Sequence, residues 1–176
     1  QRQHSYLFQN ISFQLEENCH CAMIGSNGTG KTTLMNLIRE PERFIFDGKL
    51  TRDGVGRIGY VSQFALREGD QSVTVFDYLC QDFLALEQAI GDVCLQMESA
   101  EDMDALMERY QNLLDESDAM DADNYEVNIR KQLKLAELQS KAELALEKLS
   151  GGELKLVQII RQMLRRPGLL IMDEPD

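Results

Sequence analysis

The sequence lacks any hydrophobic stretch long enough to cross a membrane. No run of about 18 consecutive apolar residues, the length that a membrane-spanning helix needs, occurs among its 176 residues. Its start, Gln1 to His4, is polar and is not followed by the apolar core of a signal peptide. We therefore expect a cytoplasmic protein with no direct insertion into a membrane.

Cysteine is scarce, and its spacing does not suggest a metal site. Only Cys19, Cys21, Cys80 and Cys94 are present. Cys19 and Cys21 flank His20, but on a strand the two sulfurs face one side and the imidazole faces the other. This arrangement favours reduced and partly buried thiols, as expected in a reducing compartment.

Basic residues are outnumbered, since 18 Lys and Arg against 30 Asp and Glu give a net charge of −12. Between Asp92 and Glu126, twelve acidic residues accompany one basic residue, Arg109. An acidic segment of this kind repels phosphate backbones, which disfavours direct nucleic-acid binding through it. We interpret the segment as a solvated helical face.

A glycine-rich run carries the strongest functional signal in the chain. It meets the phosphate-loop pattern G-x-x-x-x-G-K-[ST] at every fixed position and consists of Gly25, Ser26, Asn27, Gly28, Thr29, Gly30, Lys31 and Thr32. Glycines let the backbone turn its N–H groups toward a triphosphate, and a helix continuing through Thr33 adds its positive end. Lys31 is expected to reach the outer phosphates and Thr32 to offer its hydroxyl to Mg²⁺. The run predicts nucleotide binding.

Hydrophobic patterning predicts strands and a helix around this loop. Residues 6–15 alternate in part, as in a half-exposed antiparallel strand, and residues 21–24 form a short apolar strand that enters the loop. A helix leaving the loop is predicted over residues 33–38, and a short strand is predicted over residues 58–63, after several glycines. The first part of the chain is therefore predicted to be α/β.

From Val73 onward the pattern is helical. Thr74 is a candidate N-cap, and apolar residues recur at helical spacing over 103–114 and 125–133. A further helix is predicted over 154–164. Amphipathic helices that pack on one another explain this region better than a methionine-rich binding groove does.

An apolar stretch, Leu169 to Met172, is followed directly by Asp173 and Glu174. A buried parallel strand delivers carboxylates to a site at its carboxyl end in this way. An ordinary core strand with acids in an exposed turn is the alternative.

Together, four motifs in this order resemble those of an ATP-binding cassette (ABC) ATPase domain. After the phosphate loop come Gln63 behind a strand, the run Leu149 to Glu153 (Leu-Ser-Gly-Gly-Glu) before a helix, and the Walker B strand ending in Asp173 and Glu174. The resemblance implies an α/β P-loop NTPase fold of the ABC type, with an antiparallel β element and an inserted α-helical subdomain.

The resemblance also implies a division of the chain. Residues 1–72 are expected to hold the N-terminal part of the ATP-binding core, residues 73–149 the helical subdomain, and residues 150–176 the signature helix and the Walker B strand. Since the chain ends before the place of the family's switch histidine, we expect a fragment whose C-terminal part is absent.

By the same resemblance, ATP and Mg²⁺ are the cofactors. Asp173 is implied to hold Mg²⁺, Glu174 to polarise the attacking water, and Gln63 to sense the γ-phosphate and the metal. The signature residues Ser150, Gly151 and Gly152 are implied to cap the γ-phosphate bound to an opposing cassette. The partner is therefore a second cassette, in cis or in a dimer, and the chain alone is expected to hydrolyse ATP weakly or not at all.

The branch of the family is predicted from the length of the segment between Gln63 and Ser150 and from local sequence similarity. Gln63 and Ser150 lie 87 positions apart, which is more than a typical transporter subunit carries. This resembles the ABC-F branch, soluble tandem ATPases that act on the ribosome in translation or antibiotic resistance. The alternatives are the ATP-binding subunit of an ABC transporter and a non-hydrolysing, nucleotide-dependent interaction module.

Overall fold

The structure, a computed structural model, describes residues 7–62, 72–98 and 103–173. These residues form two compact units, the first ending at Arg52 and the second beginning at Asp53. The predicted boundaries after residues 72 and 149 stay predictions. Gln63 and Glu174, both assigned to the site from the sequence, lie outside the described residues.

The helix predicted after the phosphate loop is confirmed as α1, Lys31–Arg39. Its C-cap is Glu40, whose N–H donates to the carbonyl of Asn36 at 2.8 Å, and Pro41 then begins a single 3-10 turn. Arg52 donates to the carbonyl of Arg39 at 3.0 Å. A positive charge at this end interacts favourably with the negative end of the helix dipole, which stabilises the C-terminus of the helix.

The strands expected over residues 6–15 and 21–24 are not formed in the described residues. Residues 7–30 carry no strand ladder, and Ile11, Phe13 and Ile24 are exposed. A strand needs a partner to satisfy its backbone N–H and C=O groups, and no described segment pairs with this one. The antiparallel pairing recorded in the described residues is an isolated bridge between Thr74 and Ala145.

Two parallel strands mark the second unit as α/β. β1, Ile58–Val61, pairs with β2, Leu169–Met172, so that Ile58 lies opposite Leu169. Gly168, directly before β2, lies so close to the segment before β1 that an added Cβ would overlap the carbonyl oxygen of Val55. Glycine is therefore required at this approach. The predicted parallel arrangement of the last strand is confirmed.

Helices fill the rest of the second unit, as the apolar spacing predicts. They are α2, Val75–Met97; α3, Met103–Met120; α4, Tyr125–Leu135; and α5, Gly151–Leu164. Thr74 caps α2 as predicted, because its hydroxyl oxygen accepts from the N–H of Asp77 at 3.1 Å.

The core of this unit lies between α2, α4 and α5. Phe83 of α2 is 1% exposed and stacks on Tyr125 of α4, with the ring centroids 5.0 Å apart. Fully buried aliphatic side chains belong to the same core cluster as this pair, among them Leu79, Ile129 and Val157. Burial of such side chains is the main favourable contribution to the stability of the unit.

The acidic segment is not only a solvated face. Arg57, directly before β1, forms an ion pair with Glu116 of α3. Arg166, directly before the turn into β2, lies 3.1 Å from a carboxylate oxygen of Asp121. Two acids near the end of α3 are thus neutralised by arginines that flank the strands, which ties this helix to the sheet.

Membrane and metal signals are missing from the described part of the chain. No helix in it is both long and apolar enough to cross a membrane. Nor do its His, Cys, Asp and Glu residues form a group of three or more that could hold a metal ion. The thiols of Cys19, Cys21, Cys80 and Cys94 are free, and burial raises the pKa of Cys80 to about 11.

Truncation of the central aromatic side chain tests this account of the core. Phe83→Ala should lower the free energy of unfolding by about 3–5 kcal/mol, because it removes a buried ring and leaves a cavity. Leu84→Ala is the matched control, since Leu84 is 49% exposed on the same helix. Urea denaturation measures both, and equal shifts of the midpoint in the two variants would contradict the assignment of the core.

Candidate functional site

The phosphate loop reaches α1 through glycines in the left-handed region. Gly28 has φ 81° and Gly30 has φ 91°, values that side-chain-bearing residues rarely adopt. A Cβ on Gly30 would also come within 2.5 Å of the Phe8 ring and 3.1 Å of Leu7. The left-handed conformation therefore favours glycine at the start of the helix.

The side chains of the loop converge on its own carbonyl groups. The Lys31 ammonium donates to the carbonyl of Gly25 at 2.8 Å and to that of Ser26 at 3.1 Å. The Thr29 hydroxyl donates to the Ser26 carbonyl at 2.9 Å. A cation is thus folded over the loop next to the N-terminus of α1.

The start of α1 suits an anion. The N–H groups of its first turn have no acceptor within the helix, and no acidic residue lies in that turn. Exposed Thr32 offers a hydroxyl oxygen, the kind of ligand that Mg²⁺ takes, and Thr33 follows in the same turn. The N–H groups of the first turn, the Thr32 hydroxyl and the charge of Lys31 together fit a Mg²⁺-bound triphosphate.

Asp173 lies at the carboxyl end of β2, as the sequence predicts for a Walker B acid. Its N–H donates to the carbonyl of Val61 at 2.9 Å, which continues the pairing of the two strands. The residue is 6% exposed, and the Tyr60 hydroxyl donates to its carboxylate at 3.3 Å. The contact with Tyr60 was missed by the sequence reasoning, because it depends on the register of the two strands.

The signature run forms the start of α5. Ser150 is the N-cap, and its hydroxyl oxygen accepts from the N–H of Glu153 at 3.4 Å. In return, the Glu153 carboxylate accepts from the N–H of Ser150 at 2.8 Å, which completes a capping box. Gly151 and Gly152 are exposed, and a Cβ on either would meet nothing within 4 Å. The backbone is therefore open to an approaching partner.

A second residue that sequence reasoning missed holds Glu153. Lys141 forms an ion pair with its carboxylate from the 3-10 turn Gln139–Lys141. This pairing and the hydrogen bond from the N–H of Ser150 lower the pKa of Glu153 to about 2. The distance of twelve positions between the two partners follows no local rule, so no sequence signal marks the pair.

Two further contacts fix α5 within the unit. Lys155 donates to the carbonyl of Ser62 at 3.0 Å, at the end of β1. Arg161 makes a bidentate pair with Asp82 of α2, at 2.9 and 2.7 Å. Burial raises the pKa of Asp82, but the hydrogen bond and charge of Arg161 outweigh it and place this pKa below its usual value. Helix α5 is thereby tied both to β1 and to α2.

The predicted site residues fall into both units. The phosphate loop and Thr32 belong to the first, whereas Asp173 and the signature residues belong to the second. Each group has the local geometry described above within its own unit.

Comparison with known proteins identifies the family. A profile described as ABC transporter matches residues 8–176. This chain belongs to the ABC transporter family. Members of this ATPase family bind ATP, usually with Mg²⁺, hydrolyse it in general, and work as dimers or with a second cassette. The predicted ABC-type P-loop fold is therefore confirmed.

Several relatives match this ABC chain over nearly all of its length. An uncharacterized ABC transporter ATP-binding protein, YfmM of Bacillus subtilis, is 30% identical over 96% of this chain and 33% of its own. The zinc import ATP-binding protein ZnuC of Mannheimia succiniciproducens is 28% identical over 95% of this chain and 48% of its own. The energy-dependent translational throttle protein EttA of Haemophilus influenzae is 26% identical, over 97% and 31%.

A solved structure shares the fold of this ABC domain. It is described as an inward-facing conformation of a metal-chelate type ABC transporter, with a TM-score of 0.61 and 22% identity over 96% of this chain and 54% of that one. The chain thus spans about a third to a half of the length of these relatives.

The charge of Glu153, held by Lys141 and by the N–H of Ser150, makes stability depend on pH in the acid range. Because the pKa of Glu153 is lowered from 4.5 to about 2, its contribution is present above pH 4.5 and is lost as the pH falls toward 2. Urea midpoints of the wild type and of Glu153→Gln should therefore differ at pH 6 and converge as the pH falls toward 2. A difference that stays constant over this range would contradict the assignment.

Proposed function

We propose that this chain is a nucleotide-binding domain that binds Mg-ATP and, together with a second cassette, hydrolyses it to ADP and phosphate. The observation that carries the proposal is the position of Lys31, whose ammonium lies over the loop carbonyls beside the free N–H groups of α1. A cation and a helix N-terminus at one loop favour a polyphosphate.

The remaining roles follow from the family's motifs. We assign Thr32 and Asp173 to Mg²⁺, together with Gln63, which also senses the γ-phosphate. Glu174 is assigned as the base that draws a proton from the attacking water. The burial of Asp173 and its contact with Tyr60 support an oriented carboxylate at the end of the sheet.

The signature residues are assigned to the nucleotide of the opposing cassette. Ser150, Gly151 and Gly152 would contact its γ-phosphate, so that two cassettes close over two nucleotides. Their exposure and the open space around both glycines support this role, because a partner can approach the backbone closely. We expect the chain alone to bind ATP and to hydrolyse it poorly.

For the process that ATP drives, the ATP-binding part of a transporter is the first candidate. Relatives described as ABC transporter and zinc import ATP-binding proteins support it. A membrane partner would then receive the motion of the cassettes. The cytoplasmic location predicted from the sequence stays a prediction.

An ABC-F factor acting on the ribosome is the second candidate. It is supported by the similarity to EttA, described as a translational throttle protein. The segment between Gln63 and Ser150 also supports it, because it is longer than in a typical transporter subunit. Helices α2, α3 and α4 lie in the described part of this segment. A non-hydrolysing interaction module would be indicated instead if the natural protein bound ATP without turnover.

Replacement of the loop lysine tests nucleotide binding. Lys31→Ala should lower the affinity for Mg-ATP about 100-fold or more, because it removes the charged donor to the phosphates. Lys49→Ala is the control, since Lys49 is an exposed cation of the same unit. Calorimetric titration measures both variants. Unchanged affinity in Lys31→Ala would refute the proposed nucleotide site.

A trapped variant separates the two candidate processes. In the natural protein, Glu174→Gln should bind ATP normally and slow its turnover on the order of 100-fold, as loss of a general base does. Sedimentation of cell extracts then shows where the variant accumulates. Recovery with membranes supports the transporter candidate, and recovery with ribosomes supports the ABC-F candidate. Wild-type turnover would show that another residue is the base.

A further inference from the structure

The signature helix contains an electrostatic conflict. Under the proposed function, its N-terminus meets the terminal phosphate of a nucleotide on the opposing cassette. Glu153, however, places a carboxylate in the first turn of the same helix. Two negative groups near one helix end repel each other, and little protein separates them here because Gly151 and Gly152 are exposed.

Lys141 resolves this conflict in the structure. Its ammonium forms an ion pair with one carboxylate oxygen of Glu153, and the other oxygen accepts the N–H of Ser150. The side chains of Lys141 and Glu153 are only 34% and 25% exposed, so solvent screens the pair incompletely. Both oxygens of the carboxylate are thus occupied, and its charge is balanced.

The segment that carries Lys141 is anchored independently of α5. The N–H of Val75 donates to the carbonyl of Leu144, and that of Phe76 to the carbonyl of Ala142, both at 2.9 Å. These bonds fix the segment to the start of α2. The lysine therefore reaches the signature from a rigid support, which keeps the pair in place when a ligand approaches.

The pair also decides which hydrogen-bond donors of the signature remain available. The N–H of Ser150 is used by Glu153, and the Ser150 hydroxyl oxygen accepts from the N–H of Glu153. The Ser150 hydroxyl is also a hydrogen-bond partner of the Glu153 carboxylate. The N–H groups of Gly151 and Gly152, in the first turn of α5, have no acceptor within the helix.

We propose that Lys141 is a positioning residue for the signature. It neutralises Glu153 and holds it in the capping box, so that the N–H groups of Gly151 and Gly152 stay available to the terminal phosphate of ATP on the opposing cassette. The inference rests on the proposed function and adds to it a residue outside the signature motif.

Steady-state hydrolysis of ATP by the natural protein tests the proposal. Lys141→Met should lower kcat/KM about fivefold, because an unbalanced carboxylate then lies beside the phosphate site. Affinity for Mg-ADP should not change, since ADP lacks the terminal phosphate. Lys141→Arg should keep kcat/KM near the wild-type value, because arginine restores the ion pair. An equal loss of ADP affinity in Lys141→Met would show general damage and overturn the proposal.

A double-mutant cycle isolates the partner. Glu153→Gln removes the charge but keeps the capping box, because glutamine also serves at this position. In that background, Lys141→Met should change kcat/KM by less than about twofold. The same fivefold loss in both backgrounds would overturn the proposal, since Lys141 would then act on another group.

Lys148→Met is the control for net charge. Lys148 lies in the same connecting segment, 66% exposed, and pairs at 3.4 Å with Glu147 rather than with the signature. It should leave kcat/KM unchanged, and a loss equal to that of Lys141→Met would contradict a specific role. If the wild-type protein hydrolyses no ATP, the proposed function itself fails. If the wild-type protein hydrolyses ATP and Lys141→Met has the same kcat/KM, only the role of Lys141 is refuted.

Discussion

The packing of α5 is the constraint on which the second unit depends. Val157 of this helix has no exposed surface in the core shared with α2 and α4. Its N-terminus carries the signature, and its C-terminus leads through a short turn into β2 and Asp173. Displacement of α5 would therefore move two groups of predicted site residues together. The Arg161 pair with Asp82 and the Lys155 contact with Ser62 hold it at both ends.

Charge has a structural role that its sum conceals. A net charge of −12 suggests repulsion and a solvated surface. In the structure, Glu116, Asp121 and Glu153 each have a basic partner from a different part of the chain. Such pairs contribute modestly to stability when they are partly exposed, and here each joins residues that lie apart in the sequence. At the signature, the ion pair of Lys141 with Glu153 balances a negative charge near the proposed site of an anion.

Sequence reasoning was most successful where neighbouring residues define the structure. The cap at Thr74, the helix after the phosphate loop and the serine that begins the signature helix depend on residues one turn apart. It was least successful for the expected strands over residues 6–15 and 21–24, which the described residues do not form. Alternating hydrophobicity shows that a segment can pair, but not that a partner strand is present beside it.

The sequence by itself determined the motifs, the helical segments and the membership of the ABC family. Each motif and helix follows from neighbouring residues, and the family follows from the order of the motifs along the chain. Only the tertiary structure decided that Tyr60 meets Asp173, that Lys141 meets Glu153, and that Arg161 pairs with Asp82 across 79 positions. Such contacts depend on strand register and on the path of the connecting segments. These in turn follow from burial of the whole core, and no local pattern encodes them.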